Sequence, residues 1–161
     1  MKNLKIRSAS PDDAALILNF IIELARYEKA EHHVQATENS ILESLFSENA
    51  SAKALICTLD ETPIGYAVYF FNYSTWLGKN GLYLEDLYIS PESRNCGAGK
   101  FVLQHLARLA VENNCGRFEW CVLDWNEPAI KFYEKIGAEP QKEWIIYRLT
   151  GDALKSFARA S

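Results

Sequence analysis

The stretch YLEDLYISPESRNCGAGK, residues 83 to 100, changes character twice. Leu82 to Ile89 is aliphatic and aromatic, as a strand requires. Ser90 to Gly99 is polar, with a proline and two glycines, as a loop requires. From Gly99 onward Val102, Leu103, Leu106, Leu109 and Ala110 recur at helical spacing. Asn113-Asn114-Cys115-Gly116 ends that helix, and Phe118 to Leu123 reads as the next strand. Strand, loop, helix, strand is a crossover unit, so part of the sheet is parallel and the class is α/β.

The loop resembles two nucleotide motifs and fails both. A Walker A loop needs glycine at 94 and a hydroxyl at 101; the chain has Arg94 and Phe101. A dinucleotide fingerprint needs a third glycine at 102, where Val102 stands. What remains is R-x-x-G-x-G, Arg94 to Gly99, opening a helix. Backbone N–H groups at a helix start lack intrahelical acceptors, and the helix dipole favours negative charge there. Arg94 and Lys100 add cations, so the loop is suited to a phosphate or pyrophosphate.

Outward from the loop, Leu4 to Arg7 reads as a first strand. Ser10-Pro11-Asp12-Asp13 starts a helix that carries Leu16, Phe20, Ile21, Leu24 and Ala25 and runs to about Lys29. Ala30 to Ala36 is a loop in which His32-His33 is solvated, and Thr37-x-x-Ser40 caps a second helix. Ala52 to Leu59 and Ile64 to Tyr73 are strands joined by Asp60-Glu61-Thr62-Pro63, and Gly78 to Gly81 is a turn. Glu127-Pro128 begins a short helix ending at Gly137. Trp144 to Leu149 is expected as a last strand, and Asp152 to Ala160 as a tail helix. No repeat or linker interrupts the chain, so a single domain spanning residues 1–161 is expected, with antiparallel hairpins before the crossover.

Composition limits the functions. The chain has 161 residues, 48% hydrophobic and 24% charged, which is the balance of a soluble protein with a real core. A net charge of −4 disfavours nucleic acid as partner. No run approaches a membrane span, and MKNLKIRSASPDD has no apolar segment of a secretory signal, so a cytoplasmic protein is expected. The cysteines form no C-x-x-C pair and have no histidines at metal spacing, so no metal is expected. Cys57 and Cys121 lie in apolar runs and are expected to be buried.

With its flanks, the loop resembles motif A of the GNAT superfamily of N-acetyltransferases. Residues 122 to 138, VLDWNEPAIKFYEKIGA, look like the following motif B. ELARYE at 23 to 28, YSTWLGK at 73 to 79 and YLED at 83 to 86 resemble the spermidine/spermine (diamine) acetyltransferase family, including its thialysine branch. That resemblance implies a mostly antiparallel GNAT sheet flanked by helices, acetyl-CoA as co-substrate, a small cationic amine as substrate, and a homodimer with the C-terminal segment at its interface. Asn95 departs from the family, which usually has glycine there, and this would weaken one pyrophosphate contact. The segment from Gly137 to Trp144 is shorter than in the animal enzymes.

Acetyl transfer to an alkyl amine must first remove a proton of pKa about 10.4, at a cost of roughly 4–5 kcal/mol at neutral pH. A carboxylate near the amine does this directly or through water. Glu85 and Asp86 are neighbours on a strand and are expected on opposite faces. The resemblance makes Glu85 the base at the substrate and Tyr133 the acid that protonates the departing thiolate. It also places Leu87, Tyr88 and Ile89, the loop residues Arg94, Asn95, Cys96, Gly97, Ala98, Gly99 and Lys100, and Asn126, Pro128, Ala129 and Tyr133 against the cofactor. Tyr27, Glu28, Trp76 and Glu85 are the implied substrate contacts, with Glu119 and Glu143 as further acidic candidates. Three readings stand at this level: a small-molecule amine acetyltransferase, a protein N-terminal or lysine acetyltransferase, and a non-catalytic acetyl-CoA-binding module.

Overall fold

The structure is a computed structural model, and it describes residues 3–159. Its strands form one five-stranded sheet in sequence order: β1 (Leu4–Ser8), β2 (Lys53–Leu59), β3 (Thr62–Ser74), β4 (Lys79–Ile89) and β5 (Phe118–Trp120). The first four pair antiparallel, and β5 joins β4 in parallel. This is the mixed, mostly antiparallel sheet that the crossover and hairpins imply. The chain divides into two units, residues 1–123 and 124–161.

Two helices cover one face of the sheet in the first unit. Helix α1 (Ala14–Tyr27) follows a 3-10 turn at Pro11–Asp13, and α2 (Glu38–Leu45) follows a loop. The N-terminal signals work as the residues suggest. Asp13 accepts from the Ser10 N–H at 2.8 Å and takes two bonds from Arg7, at 2.7 and 2.8 Å. Thr37 and Ser40 form a reciprocal capping box. Ala14, Ile17 and Phe20 of α1 and Ile41 of α2 bury against Ala54, Ile56, Tyr66, Val68 and Tyr88. Strand alternation turns Leu55, Cys57, Ala67, Tyr69, Leu82 and Leu84 to the opposite face, where they too are buried. Helix α3 (Ala98–Glu112) buries Val102, Leu103 and Leu106 and lies against β4 and β1. Gly65 allows β3 and β4 to close up, because a side chain there would collide with the Tyr88 carbonyl.

The structure moves several boundaries. The β2–β3 hairpin turns at Asp60 and Glu61, both at positive φ (48° and 68°), so β3 already begins at Thr62. The turn before β4 is Thr75 to Gly78, and Lys79 to Gly81 belong to the strand. β5 stops at Trp120, where its pairing with β4 ends, and not at Leu123. Cys121 is therefore exposed, while Cys57 is buried.

The second unit contains α4 (Glu127–Lys135) and α5 (Gly151–Arg159). Trp144 to Leu149 forms no strand. A strand needs a partner ladder, and among the described residues this apolar run belongs to none. Trp144, Ile145, Ile146 and Tyr147 are all exposed, from 67% to 92%. Ala160, the expected end of the tail helix, lies outside the described residues.

Candidate active site

The glycine loop takes the shape its residues demand. β4 ends at Ile89, a 3-10 turn spans Pro91–Ser93, and the chain turns into α3 at Gly97. Gly97 has φ +86°, a region that glycine enters without cost. Asn95 has φ +63°. Asparagine is among the few side chains tolerated there, which explains how it replaces glycine without breaking the loop. Nothing lies within 4 Å of where a side chain would project from Gly97 or Gly99.

The first bond of the α3 ladder runs from the Phe101 N–H to the Gly97 carbonyl, at 2.9 Å. The N–H groups of Ala98, Gly99 and Lys100 precede that ladder, at the positive end of the helix dipole. Open space over two glycines, helix-start N–H groups and the exposed Lys100 fit a pyrophosphate. Cys96 is partly buried, and its thiol donates to the Ser93 carbonyl at 2.9 Å. Arg94 braces the loop from behind. Its Nε donates to the Ile89 carbonyl at 3.1 Å, and its guanidinium sits 4.9 Å from the centre of the Tyr27 ring.

The strand leading into the loop is open on one side. β4 pairs with β5 only over Leu82 to Leu84, opposite Phe118 to Trp120. Beyond Leu84, among the described residues, the ladder of β4 is to β3 alone. Leu87, Tyr88 and Ile89 lie in that open stretch, where alternate backbone groups face away from β3. Such an edge can receive an extended ligand in the manner of an added strand.

Register brings the carboxylates together. Val68 pairs with Asp86 and Tyr69 with Leu84, which leaves Glu85 as an extra residue in β4. This bulge corrects the expectation that Glu85 and Asp86 lie on opposite faces, because a bulge breaks the period of two. The charges of Asp86, Glu28 and Glu85 all bear on the Tyr66 phenol. Tyr66 has no exposed surface, and its hydroxyl donates to Asp86 Oδ2 at 2.6 Å.

Burial first, then Asp86, Glu28 and Glu85, push the Tyr66 hydroxyl well above the usual phenol range. Burial raises Asp86 against the opposing effect of that hydrogen bond. Burial and the neighbouring Asp86 raise Glu28, which caps α1 and whose N–H donates to the Leu24 carbonyl at 2.9 Å. Tyr88 donates to Glu23 Oε2 at 2.8 Å and is pushed up to about 12, chiefly by burial. A cleft of about 430 Å³ opens beside this group, lined by Glu23, Arg26, Tyr27, Tyr88, Ser90 and Arg94 among others.

Of the expected substrate residues, Tyr27, Glu28 and Glu85 therefore gather at the end of α1 and the bulge of β4. Glu119 is half-buried on β5, paired with Tyr83, whose hydroxyl contacts the Cys121 sulfur at 3.0 Å. Trp76 is 79% exposed in the β3–β4 turn, and Lys79, where β4 begins, is roughly 20 Å along the strand from Glu85 at about 3.3 Å per residue. In the second unit, Asn126 caps α4, Pro128 and Ala129 lie in its first turn, and Tyr133 is half-buried near its end. The Tyr133 ring meets Phe132 at 5.9 Å, and its carbonyl accepts from the Ala138 N–H at 3.0 Å. Glu143 is exposed in the irregular segment. His32 and His33 are exposed, their rings 4.0 Å apart.

Tyr66, Asp86 and Glu23 belong to this site and are not marked by spacing. Only Asp86 carried a signal, as the second acid of Glu85-Asp86, and the assumed strand alternation hid it. Among the described residues no group of histidine, cysteine and carboxylate side chains is placed to hold a metal ion, and no helix is long and apolar enough to cross a membrane.

The acetyltransferase (GNAT) family matches residues 18–138. The thialysine N-epsilon-acetyltransferase of Sus scrofa is 36% identical, over 98% of this chain and 99% of its own. The L-ornithine N5-acetyltransferase of Arabidopsis thaliana is 30% identical, over 94% of this chain and 86% of its own. Among solved structures, an integron cassette protein from the mobile metagenome of V. cholerae superposes with a TM-score of 0.81 at 28% identity, covering 98% of both chains.

Proposed function

The chain belongs to the acetyltransferase (GNAT) family and is an acetyl-CoA-dependent N-acetyltransferase, and from that premise we propose that it acetylates a primary amine of a small polyamine, diamine or lysine-like substrate. The observation that carries this reading is Asp86, on the strand that feeds the glycine loop, hydrogen-bonded to the buried Tyr66 phenol on which the charges of Glu28 and Glu85 also bear. Such a site favours a cation over an anion or a neutral ligand. The relatives named for thialysine and ornithine acetylation point to amino acids with a second amine.

In this reading acetyl-CoA supplies the activated acetyl group. The loop from Arg94 to Lys100 would hold its pyrophosphate, and the open edge of β4 at Leu87 to Ile89 would offer backbone N–H groups to its acyl arm and thioester. Asn126, Pro128 and Ala129 are further cofactor contacts. Glu85 takes the proton of the substrate ammonium, directly or through water, so that the nitrogen lone pair attacks the acetyl carbon. Tyr133 gives a proton to the sulfur as the carbon–sulfur bond breaks. Tyr27, Glu28 and Trp76 bind the remainder of the amine, with Glu119 and Glu143 as outer acidic groups. We place the enzyme in the cytoplasm as a single-domain protomer of a homodimer. The exposed apolar run Trp144 to Tyr147 supports a partner for the C-terminal segment.

The test is release of free coenzyme A thiol with a panel of amines: lysine, ornithine, thialysine, spermidine, a monoamine, and peptides with a free N-terminus or lysine. Turnover concentrated on the small amines with two cationic groups is expected. Turnover confined to the peptides would replace this reading with protein acetylation, and acetyl-CoA binding without any turnover would replace it with a binding module.

A further inference from the structure

Tyr66 takes no part in the reaction outlined above, yet its placement is costly without a purpose. The side chain is fully buried on β3, its ring stacked on Phe20 of α1 at 5.7 Å and 13°. Phenylalanine would fill the same space without a polar atom to satisfy. The hydroxyl is satisfied only because Asp86 stands on the neighbouring strand, where it accepts at 2.6 Å. The register that brings Asp86 to that face depends on the bulge at Glu85.

The direction of this hydrogen bond matters. A phenol that donates stabilises the ionised carboxylate and not the protonated acid. Burial pulls the other way. Tyr66 therefore opposes the effect of burial and favours the charged form of Asp86. That charge is felt by Glu28. Asp86 accepts from Tyr66 of β3, and its charge bears on Glu28 at the end of α1; the charges of Glu28 and Glu85 bear on the same phenol, and Glu23 of α1 is held by Tyr88. The two arginines that line the cleft are engaged elsewhere, Arg94 with the Tyr27 ring and the Ile89 carbonyl and Arg26 with Glu31. A second ammonium or a comparable cation on the substrate would relieve the repulsion between the two carboxylates.

We propose that Tyr66, through its hydrogen bond to Asp86, is a positioning residue that holds a second carboxylate beside Glu28 and so sets a preference for amines carrying a second cationic group. The inference rests on the amine acetylation proposed above and adds to it the pair of residues that sorts dications from monocations.

The experiment compares 1,5-diaminopentane with pentylamine across pH, using the native protein, Tyr66→Phe and Asp86→Asn. In the native protein the diamine is preferred in kcat/KM. Tyr66→Phe removes the donor, so Asp86 takes up a proton more readily. The acid limb of kcat/KM for the diamine then moves to higher pH by about half to one unit, and the diamine preference falls about 3–10-fold through KM, as loss of one hydrogen bond to a charged group implies. Carbon NMR of the Asp86 carboxyl reads the same upward shift without substrate, and acetyl-CoA affinity stays native. Asp86→Asn keeps an acceptor for Tyr66 and removes the charge. It lowers the preference at least as far, and it serves alone should Tyr66→Phe not fold. A native diamine preference, acid limb and carboxyl titration in Tyr66→Phe overturn the inference, as does a native preference in Asp86→Asn. A native protein with no preference for the diamine overturns this inference and leaves the proposed function standing, which falls only if the whole amine panel above goes unacetylated.

Discussion

The guanidinium of Arg94 lies 4.9 Å from the centre of the Tyr27 ring, and its Nε is tied to the Ile89 carbonyl. The first residue of the glycine motif is thereby fastened to the last residue of α1, so the anion loop and the substrate end of the site share one brace. Tyr27→Leu should loosen that brace. A cation–π contact at a partly exposed site is worth about 0.5–1 kcal/mol, so a two- to fivefold weaker acetyl-CoA affinity is expected by calorimetry, together with a raised amine KM. An amine KM that rises while acetyl-CoA affinity stays native would show that the two sites are not coupled here.

Gly97→Val tests the cradle itself. At φ +86° a β-branched residue is strained, and its side chain would occupy the open space beside the helix start. Loss of one or more charge-assisted hydrogen bonds should weaken acetyl-CoA about 10- to 100-fold while circular dichroism stays native. Native affinity in a folded variant would remove the loop from the cofactor site.

Tyr133→Phe deletes only a hydroxyl. If that hydroxyl protonates the departing sulfur, kcat should drop about 10²–10⁴-fold with acetyl-CoA affinity retained. Single-turnover measurements decide the matter, and an unchanged chemical step would assign the proton to another donor.

Asp13 links stability to pH. The Arg7 guanidinium first, and then the Ser10 N–H, hold its carboxyl at about 2, below the ordinary 3.8. A depressed carboxylate stabilises the fold above its unfolded value, and that stability is lost as pH falls through the folded one. Arg7 is half exposed, so solvent screening reduces the gain to about 1–2 kcal/mol. Asp13→Asn should therefore cost that much in urea unfolding at pH 7, and the gap to the native protein should close between about pH 4 and pH 2. A gap that persists unchanged at pH 2 would mean that the ion pair is not its source.

The C-terminal segment offers a test of assembly. Ile145 and Tyr147 are 77% and 92% exposed in the single chain. If they are covered in a homodimer, replacing both by aspartate should convert it to monomer in sedimentation equilibrium, since a buried unpaired charge costs several kcal/mol. A native protein that sediments as a monomer would count against the dimer directly.

Sequence alone determined the parts of this protein that depend on neighbours along the chain. The glycine loop at Arg94 to Gly99, the proline and cap at the start of α1, the Thr37–Ser40 box and the crossover from β4 through α3 to β5 all rest on contacts within a few residues. The alternation that buries Ile56, Tyr66 and Val68 is equally local, because a strand has a period of two. Tertiary structure decided what depends on a partner strand. Glu85 reads as an ordinary strand residue until the register of β3 against β4 makes it a bulge, and only then does Asp86 come to the phenol of Tyr66. Tyr66 itself reads as one more core aromatic, because no local pattern reveals that Asp86 will stand opposite its hydroxyl. Trp144 to Leu149 has a strand's apolar composition and forms no strand, since a ladder needs hydrogen-bonding groups from another segment. Cys121 lies in an apolar run and is exposed, because β5 lost its partner one residue earlier.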